Sequence, residues 1–377
     1  MDHARLMNKQ KQTCRQTVIG IDLGDKKHAI CVIGKGGELS KEFSIPNERK
    51  ELERLAKDYP QARVAMEVGT HSPWISRLLE DRGMEVIVAN SRKLRAIYEN
   101  ERKCDRQDAR MLAKIARLDP ELLGPVRHGS EDSQKDLLSL KLRDALVRQR
   151  AAIISAVRAS LKSLGLRLGL ASTASFARQA RAALQEQRAD LLEIIAPALI
   201  ALEGLGTQIS AFDKSIQTIA AQRHPQAQKM QQINGVGPIT SLAYVLLVED
   251  PKRFAEPRDV GAYLGLVPRR DQSGKTDKQL PISKAGNRYL RCLLVQSAQY
   301  LLGHYGQDCD LRRYGLRLAA RGGKAAKKKA VIAVARKLSV LMLTLWRRGS
   351  DYEPLPSQPP VPQRPATKTT RPMRHAA

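Results

Sequence analysis

Four carboxylates in this base-rich chain stand where they could do chemistry together. Asp22 closes the apolar run Thr17-Val18-Ile19-Gly20-Ile21-Asp22, and Glu67 follows Arg63-Val64-Ala65-Met66 in a second such run. Asp105 and Asp108 are three apart at the start of the helix-forming stretch Asp105-Arg106-Gln107-Asp108-Ala109-Arg110-Met111-Leu112-Ala113, which puts both on one helix face. If the two strand ends lie side by side, the four groups form a cluster of hard oxygen ligands suited to Mg²⁺ or Mn²⁺. A pair of such ions suits phosphodiester chemistry. Taken singly, each residue has a plainer reading: a turn residue, a surface group, and two first-turn acids that favour the helix dipole. Asp25 reads as a loop residue rather than a ligand.

A second group lies further on. Ile233-Asn234-Gly235-Val236-Gly237-Pro238 before a helical pattern resembles a helix-hairpin-helix turn, in which amides at a helix start meet phosphate; an ordinary tight helix connection fits equally well. Around Ser273-Gly274 the punctuation predicts a loop, surrounded by Arg269, Arg270, Lys275, Lys278, Lys284, Arg288 and Arg291. Bases at that density bind phosphate and stabilise developing charge, so a serine held there could act as a nucleophile. A solvated Ser-Gly turn on a DNA-contacting surface is the plainer alternative. Residues 311–349 hold 12 Lys or Arg and no acid, densest at Lys327, Lys328 and Lys329, which suits either phosphate binding or a solvated face.

The elements that must position these residues follow from periodicity. Residues 17–22, 28–33 and 39–45 read as three antiparallel strands, with a turn at Gly34-Lys35-Gly36-Gly37. An Asn47-capped helix, a strand at 63–68, a helix at 72–81, a strand at 85–89 and the helix from Asp105 complete a βββαβαβα order, which implies a mixed sheet with functional groups at strand ends. From about residue 131 to 222 the pattern becomes long helices. Leu205, Ile209, Phe212, Ile216 and Ile219 recur at heptad spacing, extended backwards by Leu202, Ala198, Ile195 and Leu191. Leu138, Leu142, Leu146, Ile153, Val157 and Leu161 offer an opposing face. Pro197, Gly204 and Gly206 predict a kink or break in the second helix. Helical periodicity then runs to about residue 348, and residues 351–377, with seven of the 19 prolines, read as a disordered tail.

Composition narrows the partners. Among 377 residues, 65 Lys plus Arg stand against 38 Asp plus Glu, a net charge of +27, so a polyanion is expected. Aromatics are 4% of residues, which disfavours a stacking platform for single strands and favours duplex or structured nucleic acid. The longest apolar stretch, residues 330–346, is broken by Arg336 and Lys337, and the first 16 residues lack an apolar core, so neither a membrane span nor a secretory signal is expected. Five scattered cysteines without a Cys-x-x-Cys pair predict a reducing cytoplasm and no zinc site.

Asp22, Met66-Glu67-Val68-Gly69-Thr70, Lys103-Cys104-Asp105-Arg106-Gln107-Asp108-Ala109-Arg110, Ile233-Asn234-Gly235-Val236-Gly237 and Gly265-Leu266-Val267-Pro268-Arg269-Arg270, followed by Ser273-Gly274 and Ile282-Ser283-Lys284-Ala285-Gly286-Asn287, together resemble the DEDD transposases of bacterial insertion sequences, the IS-one-ten type. The likeness spans residues 18–348 in the family's order; Cys104 stands where a small polar residue is more usual. The resemblance implies α/β plus α architecture: an RNase H-like (RuvC-like) catalytic domain at 17–125, a helical coiled-coil segment at 126–225, and a mainly helical transposase domain at 226–350. The ends, 1–16 and 351–377, remain flexible. It implies catalytic and metal-binding roles for Asp22, Glu67, Asp105 and Asp108, a nucleophilic Ser273, and nucleic-acid contacts at Gly235, Gly237 and the basic residues. The implied partners are DNA, a structured guide RNA and further copies of the chain, as dimer or tetramer. Two other readings stay open: a metal-dependent junction endonuclease with Ser273 structural, and a non-catalytic nucleic-acid scaffold. Neither forms a covalent protein–DNA adduct.

Overall fold

The computed structural model describes residues 16–94, 104–274 and 276–355, so Lys275 and most of the two termini lie outside the described residues. The chain divides into two units, Met1–Gly129 and Ser130–Ala377.

In the first unit five strands form one sheet in the order β3-β2-β1-β4-β5: β1 Val18–Asp22, β2 Lys27–Ile33, β3 Leu39–Pro46, β4 Arg63–Glu67 and β5 Glu85–Ala89. β1 pairs antiparallel with β2 and parallel with β4, which makes the sheet mixed. Helices cover both faces, and β1 is accordingly apolar on both sides. Ile19 and Ile21 pack with Leu52 and Leu55 of α1 (Arg49–Asp58) and Ile75 and Leu79 of α2 (Ser72–Asp81). Val18 and Ala65 face Ala109, Leu112, Ala113 and Ala116 of α3 (Asp105–Leu118) on the opposite side. Small residues on α3 let its backbone approach β1 closely: a Cβ on Gly20 would lie 1.9 Å from the Ala109 carbonyl oxygen. Asn47 is not the α1 cap. That position belongs to Glu48, and the Asn47 amide turns instead toward the loop after β1.

The second unit opens with α4 (Glu131–Ser163), whose Ser130 cap hydroxyl accepts from the Ser133 amide at 3.1 Å. α5 (Phe176–Gln187) and α6 (Ala189–Gln222) follow, and α6 packs along α4. The buried face of α4 carries Leu137, Leu140, Val157 and Leu161: the expected seam holds at Ile153, Val157 and Leu161, whereas Leu138 and Leu142 are exposed and the stripe is displaced in the helix's first half. α6 runs as one helix through Pro197, Gly204 and Gly206, so the expected break is absent. Its two ends serve different cores. Leu191, Leu199 and Leu202 meet Val157, Leu161, Phe176 and Leu184 at one end; Ile216 and Ala220 join the C-terminal core at the other.

That C-terminal core is built by α7 (Pro225–Met230), α8 (Pro238–Val248), α9 (Asp259–Tyr263), α10 (Arg288–Leu302), α11 (Asp310–Ala319) and α12 (Gly323–Arg348). Tyr244 of α8, fully buried, donates its hydroxyl to the Ser339 carbonyl of α12 at 2.7 Å. Between α9 and α10 the chain forms a two-stranded hairpin, β6 (Pro268–Ser273) and β7 (Thr276–Ile282). Ser273 is therefore the last residue of a strand, paired with Thr276 across the turn that begins at Gly274, and not a loop residue.

Candidate functional site

The strand register places two of the four carboxylates. Ile21 is opposite Met66 in the parallel β1–β4 pair, so Asp22 and Glu67 end adjacent strands, about 4.8 Å apart between backbones. Side chains alternate along a strand: Asp22 shares the face of Gly20, and Glu67 that of Ala65, both of which face α3. α3 runs across that face from the strand ends toward the strand beginnings. Ala109 lies on Gly20, whereas the Ala116 carbonyl, two turns later, accepts from buried Arg63 at the start of β4. The first turn of α3, with Asp105 exposed and Asp108 half-buried, therefore stands at the end of the sheet that carries Asp22 and Glu67.

The donor set, carboxylates from two strands and one helix at one sheet end, fits a hard divalent cation. Among the described residues no three His, Cys, Asp or Glu side chains are gathered closely enough to hold a metal ion. The four are grouped at one end without forming a closed cage.

A polar network that the sequence spacing gives no hint of braces the loops at this end. His28, fully buried, accepts from the Gly24 amide through Nδ1 at 3.3 Å, which leaves Nε2–H to donate to Asn47 Oδ1 at 3.1 Å. The Asn47 amide in turn donates to the Gly24 and Asp25 carbonyls at 3.3 and 3.1 Å. Burial pushes the His28 pKa down, in keeping with a neutral ring that accepts from one side. After β4, Ser72 accepts from the Gly69 amide at 2.9 Å and bonds His128 at 2.8 Å, and burial lowers the His128 pKa as well. His71 Nε2–H donates to Asp25 Oδ1 at 3.0 Å and ties the two loops together. Beside α3, Arg110 grips Glu42 with two bonds of 2.7 Å, and that guanidinium holds the Glu42 carboxyl below its ordinary range. Burial pushes the neighbouring Cys31 thiol up to about 11, so it stays protonated.

In the second unit the Gly235–Gly237 turn joins α7 to α8, with Gly235 at φ +83° and Gly237 as the α8 cap. Ser273 and Arg269 are exposed on β6, whereas Arg270 is held by Asp277 across the hairpin through bonds of 2.8 and 2.7 Å. Lys284, at φ +53°, and Arg288 are exposed at the base of the hairpin. Arg291 donates to the Leu264 and Ala285 carbonyls at 3.0 and 2.8 Å and so fastens this base. Gly265 and Gly286 allow the same closure: a Cβ on Gly265 would lie 2.2 Å from the Ala285 carbonyl oxygen. Lys327, Lys328 and Lys329 are exposed on α12, but other bases of that stretch hold the fold, Arg347 through the Pro251 and Phe254 carbonyls and Arg312 through those of Leu301 and Gly303.

Comparison with known proteins gives consistent matches in both units. Residues 19–165 match a family model described as a DEDD transposase of IS110 type, and residues 227–312 match the transposase family IS116/IS110/IS902. The chain is 27% identical to the transposase for insertion sequence element IS1111A of Coxiella burnetii, over 89% of this chain and 91% of that protein. It is 29% identical to the transposase for IS1328 of Yersinia enterocolitica, over 75% of this chain and 83% of that protein. A probable family 20 transposase of Pseudomonas aeruginosa is 26% identical over 81% of this chain and 90% of its own length.

Proposed function

Since the chain belongs to the IS110-type transposases of insertion sequences, and is thus an enzyme acting on DNA, we propose that it cuts and rejoins DNA with the strand-end carboxylates and Ser273 as its chemical groups. The observation that carries this reading is the register that sets Asp22 beside Glu67 on the face crossed by α3, with Asp105 and Asp108 in the first turn of that helix. The strand order β3-β2-β1-β4-β5 with α3 across it supports an RNase H-like first unit.

Asp22, Glu67, Asp105 and Asp108 would hold Mg²⁺ or Mn²⁺, which supplies charge neutralisation at the scissile phosphate. Ser273 Oγ attacks phosphorus: the Oγ–P bond forms, the bond from phosphorus to the leaving strand breaks, the serine proton passes to solvent and the leaving oxygen takes one up. Attack on the phosphoserine by the hydroxyl of another strand reverses the step, so the phosphodiester energy is conserved and no nucleotide cofactor is required. Arg269, Arg270, Lys275, Lys284 and Arg288 neutralise the phosphates near the hairpin, Arg291 keeps its base closed, and Gly235, Gly237 and Lys327 to Lys329 contact the backbone further away. The excess of +27 suits a structured guide RNA as well as the DNA of element ends and target, in the bacterial cytoplasm. No helix among the described residues is long and apolar enough to cross a membrane.

The test is covalent trapping. Wild type incubated with labelled substrate and Mg²⁺, then denatured, yields a protein–DNA adduct that Ser273→Ala lacks while still binding DNA. An adduct of equal yield in the variant overturns the assignment and directs attention to Ser283. Clean Mg²⁺-dependent nicks without an adduct in either protein favour the junction-endonuclease reading, and binding indifferent to Mg²⁺ without cleavage favours the scaffold.

A further inference from the structure

Past Leu355 the sequence continues through residues 356–377, which lie outside the described residues and divide into two halves of different chemistry. The first, Pro356-Ser357-Gln358-Pro359-Pro360-Val361-Pro362-Gln363, holds four prolines and no charge. The second holds Arg364, Lys368, Arg371 and Arg374 and no acid. A proline fixes its own φ and keeps the residue before it out of the helical region, so a stretch as rich in proline as the first half favours an extended polyproline conformation and has little entropy left to lose on binding.

The described chain delivers this stretch to a groove. After α12 the chain turns at Gly349, with φ +63°, and residues 351–354 are strapped to the C-terminal core. Asp351 accepts from Gln232 Nε2 at 3.1 Å, the Tyr352 amide donates to Gln232 Oε1 at 2.7 Å, and the Pro354 carbonyl accepts from the Asp310 amide at 2.9 Å. Tyr352, Glu353 and Pro354 thereby form one side of a groove of about 1190 Å³, whose other walls include α12 and the β6–β7 hairpin. Leu266, Leu280, Ile332 and Leu341 line it, and the ring of Tyr314 stands in its wall beneath the Lys337 ammonium at 4.2 Å. The hairpin lacks a neighbour on this side. β6 is exposed along its whole length, Leu280 of β7 is 37% exposed, and two strands alone are marginally stable in water.

We propose that residues 356–363 lie in this groove of their own chain as an extended polyproline segment between α12 and β7. The chain reaches the groove already fastened at Pro354, so docking is intramolecular, at an effective concentration on the order of millimolar. The lengths agree: eight residues of polyproline helix span about 25 Å, and the α12 wall from Ala325 to Leu341 spans about 24 Å. The chemistry agrees as well. Proline-rich segments bind grooves that offer apolar walls and aromatic rings, here Tyr314 and Tyr352. Residues 356–363 carry no charge to meet the exposed Lys328, Lys329 and Arg336, whereas Arg364 and the bases after it are repelled by them, so the docked stretch ends at Gln363. Seated there, the segment covers Leu280 and Ile332 and fastens the hairpin to α12. The inference holds whether or not Ser273 is the nucleophile, because its test reads docking and not cleavage.

The full chain with the photo-crosslinking residue benzoylphenylalanine at position 361 is irradiated at low micromolar concentration without nucleic acid, and the linked peptides are identified by mass spectrometry. Position 361 links within the monomer to residues 280–282 or 325–341, and Ile332→Asp or Pro359→Gly/Pro360→Gly/Pro362→Gly lowers the yield at least fivefold. Circular-dichroism melts within a few degrees of wild type show that both variants are folded. In hydrogen exchange, amides of residues 276–282 exchange at least fivefold faster in a chain ended at Leu355 than in the full chain. Links to other parts of the chain, or found only between copies, overturn the proposal. Hairpin exchange that is unchanged by the truncation overturns it too, as does protection that appears only when DNA or RNA is added. A glycine variant that links as well as wild type overturns the polyproline mode of binding.

Discussion

Replacing Gly20 by alanine puts a methyl group where α3 already sits. The new Cβ would stand 1.9 Å from the Ala109 carbonyl oxygen and 2.7 Å from the Ala113 amide, both backbone atoms that no side-chain rotation can remove. An ordinary contact begins near 3.4 Å, so α3 must retreat from β1 by about 1.5 Å. Overpacking of this kind costs roughly 1–3 kcal/mol, which lowers the melting temperature of a unit of this size by roughly 5–10 °C. The functional effect is larger. Asp105 and Asp108 ride on the displaced helix while Asp22 and Glu67 stay on the strands, and a misplacement of about 1 Å in a catalytic centre costs on the order of 100-fold. Gly69→Ala is the control: it lies two residues after Glu67, and a Cβ there meets nothing within 4 Å. Strand cleavage measured well below the melting temperature falls about 100-fold in Gly20→Ala and less than threefold in Gly69→Ala, with DNA affinity little changed in both. A destabilised Gly20→Ala that cleaves at the wild-type rate would refute the placement of the helical aspartates in the reacting centre.

Asp22→Asn, Glu67→Gln, Asp105→Asn and Asp108→Asn should each abolish Mg²⁺-dependent cleavage while filter binding of DNA changes little; normal cleavage by any two of them removes the proposed site. Mg²⁺ at 100 times its dissociation constant should stabilise the wild-type fold by about 2.7 kcal/mol in thermal melts, and the Asp22→Asn/Glu67→Gln double variant should show no such gain. His28 and His128 are held neutral in the fold with lowered pKa values, so below about 6.5 the unfolded chain binds more protons than the folded one. Stability is therefore constant above that pH and declines as pH falls through it, and His28→Gln flattens the melting-temperature profile between pH 5 and 7. Changing Lys327, Lys328 and Lys329 to alanine should reduce the log–log salt slope of duplex binding by about 0.9 for each phosphate left unneutralised; an unchanged slope makes that run a solvated face.

The first unit was legible because its strands are short apolar runs bounded by turns. All five predicted strands lie within one or two residues of those observed; in β1, β2, β4 and β5 the consecutive aliphatic residues suit a sheet covered on both faces, whereas β3, largely polar and exposed, is an edge strand. What could not be read is what each residue does beyond its own element. Asn47 has the type and place of a helix cap, yet its amide is drawn to carbonyls 22 and 23 positions earlier. The hairpin of Ser273 was hidden because β6 is polar and exposed throughout, so no apolar alternation marks it; only Gly274, at φ +55°, signalled the tight turn. The seam of α4 was read correctly at Ile153, Val157 and Leu161 but slipped in phase in the first half of the helix. Leu137, Leu138, Leu140 and Leu142 permit two neighbouring stripes, and the packing with Ile216 and Ala220 selects the one through Leu137 and Leu140.

The placement of the carboxylates follows from the topology more than from any single residue. β1 is the strand at which the sheet changes from antiparallel to parallel neighbours. The chain leaves β1 into a hairpin with β2 but leaves β4 into α2, so the loops after Asp22 and Glu67 lead to different elements, the strand-end position at which open α/β sheets bind their ligands. Gathering acids there is unfavourable, and two features of the fold reduce the cost. The first turn of α3 presents the positive end of its dipole to the same place, worth about 0.3–1 kcal/mol for each nearby acid. Much of the loop backbone is held by neutral groups, His28, Asn47 and Ser72, which brace this end of the sheet without adding charge. The helix dipole alone explains Asp105 and Asp108, but it gives no reason for Asp22 and Glu67 to end adjacent strands on the face that α3 crosses. On the proposed function, a cation shared by strand and helix carboxylates would supply that reason, because it would make all four positions favourable together.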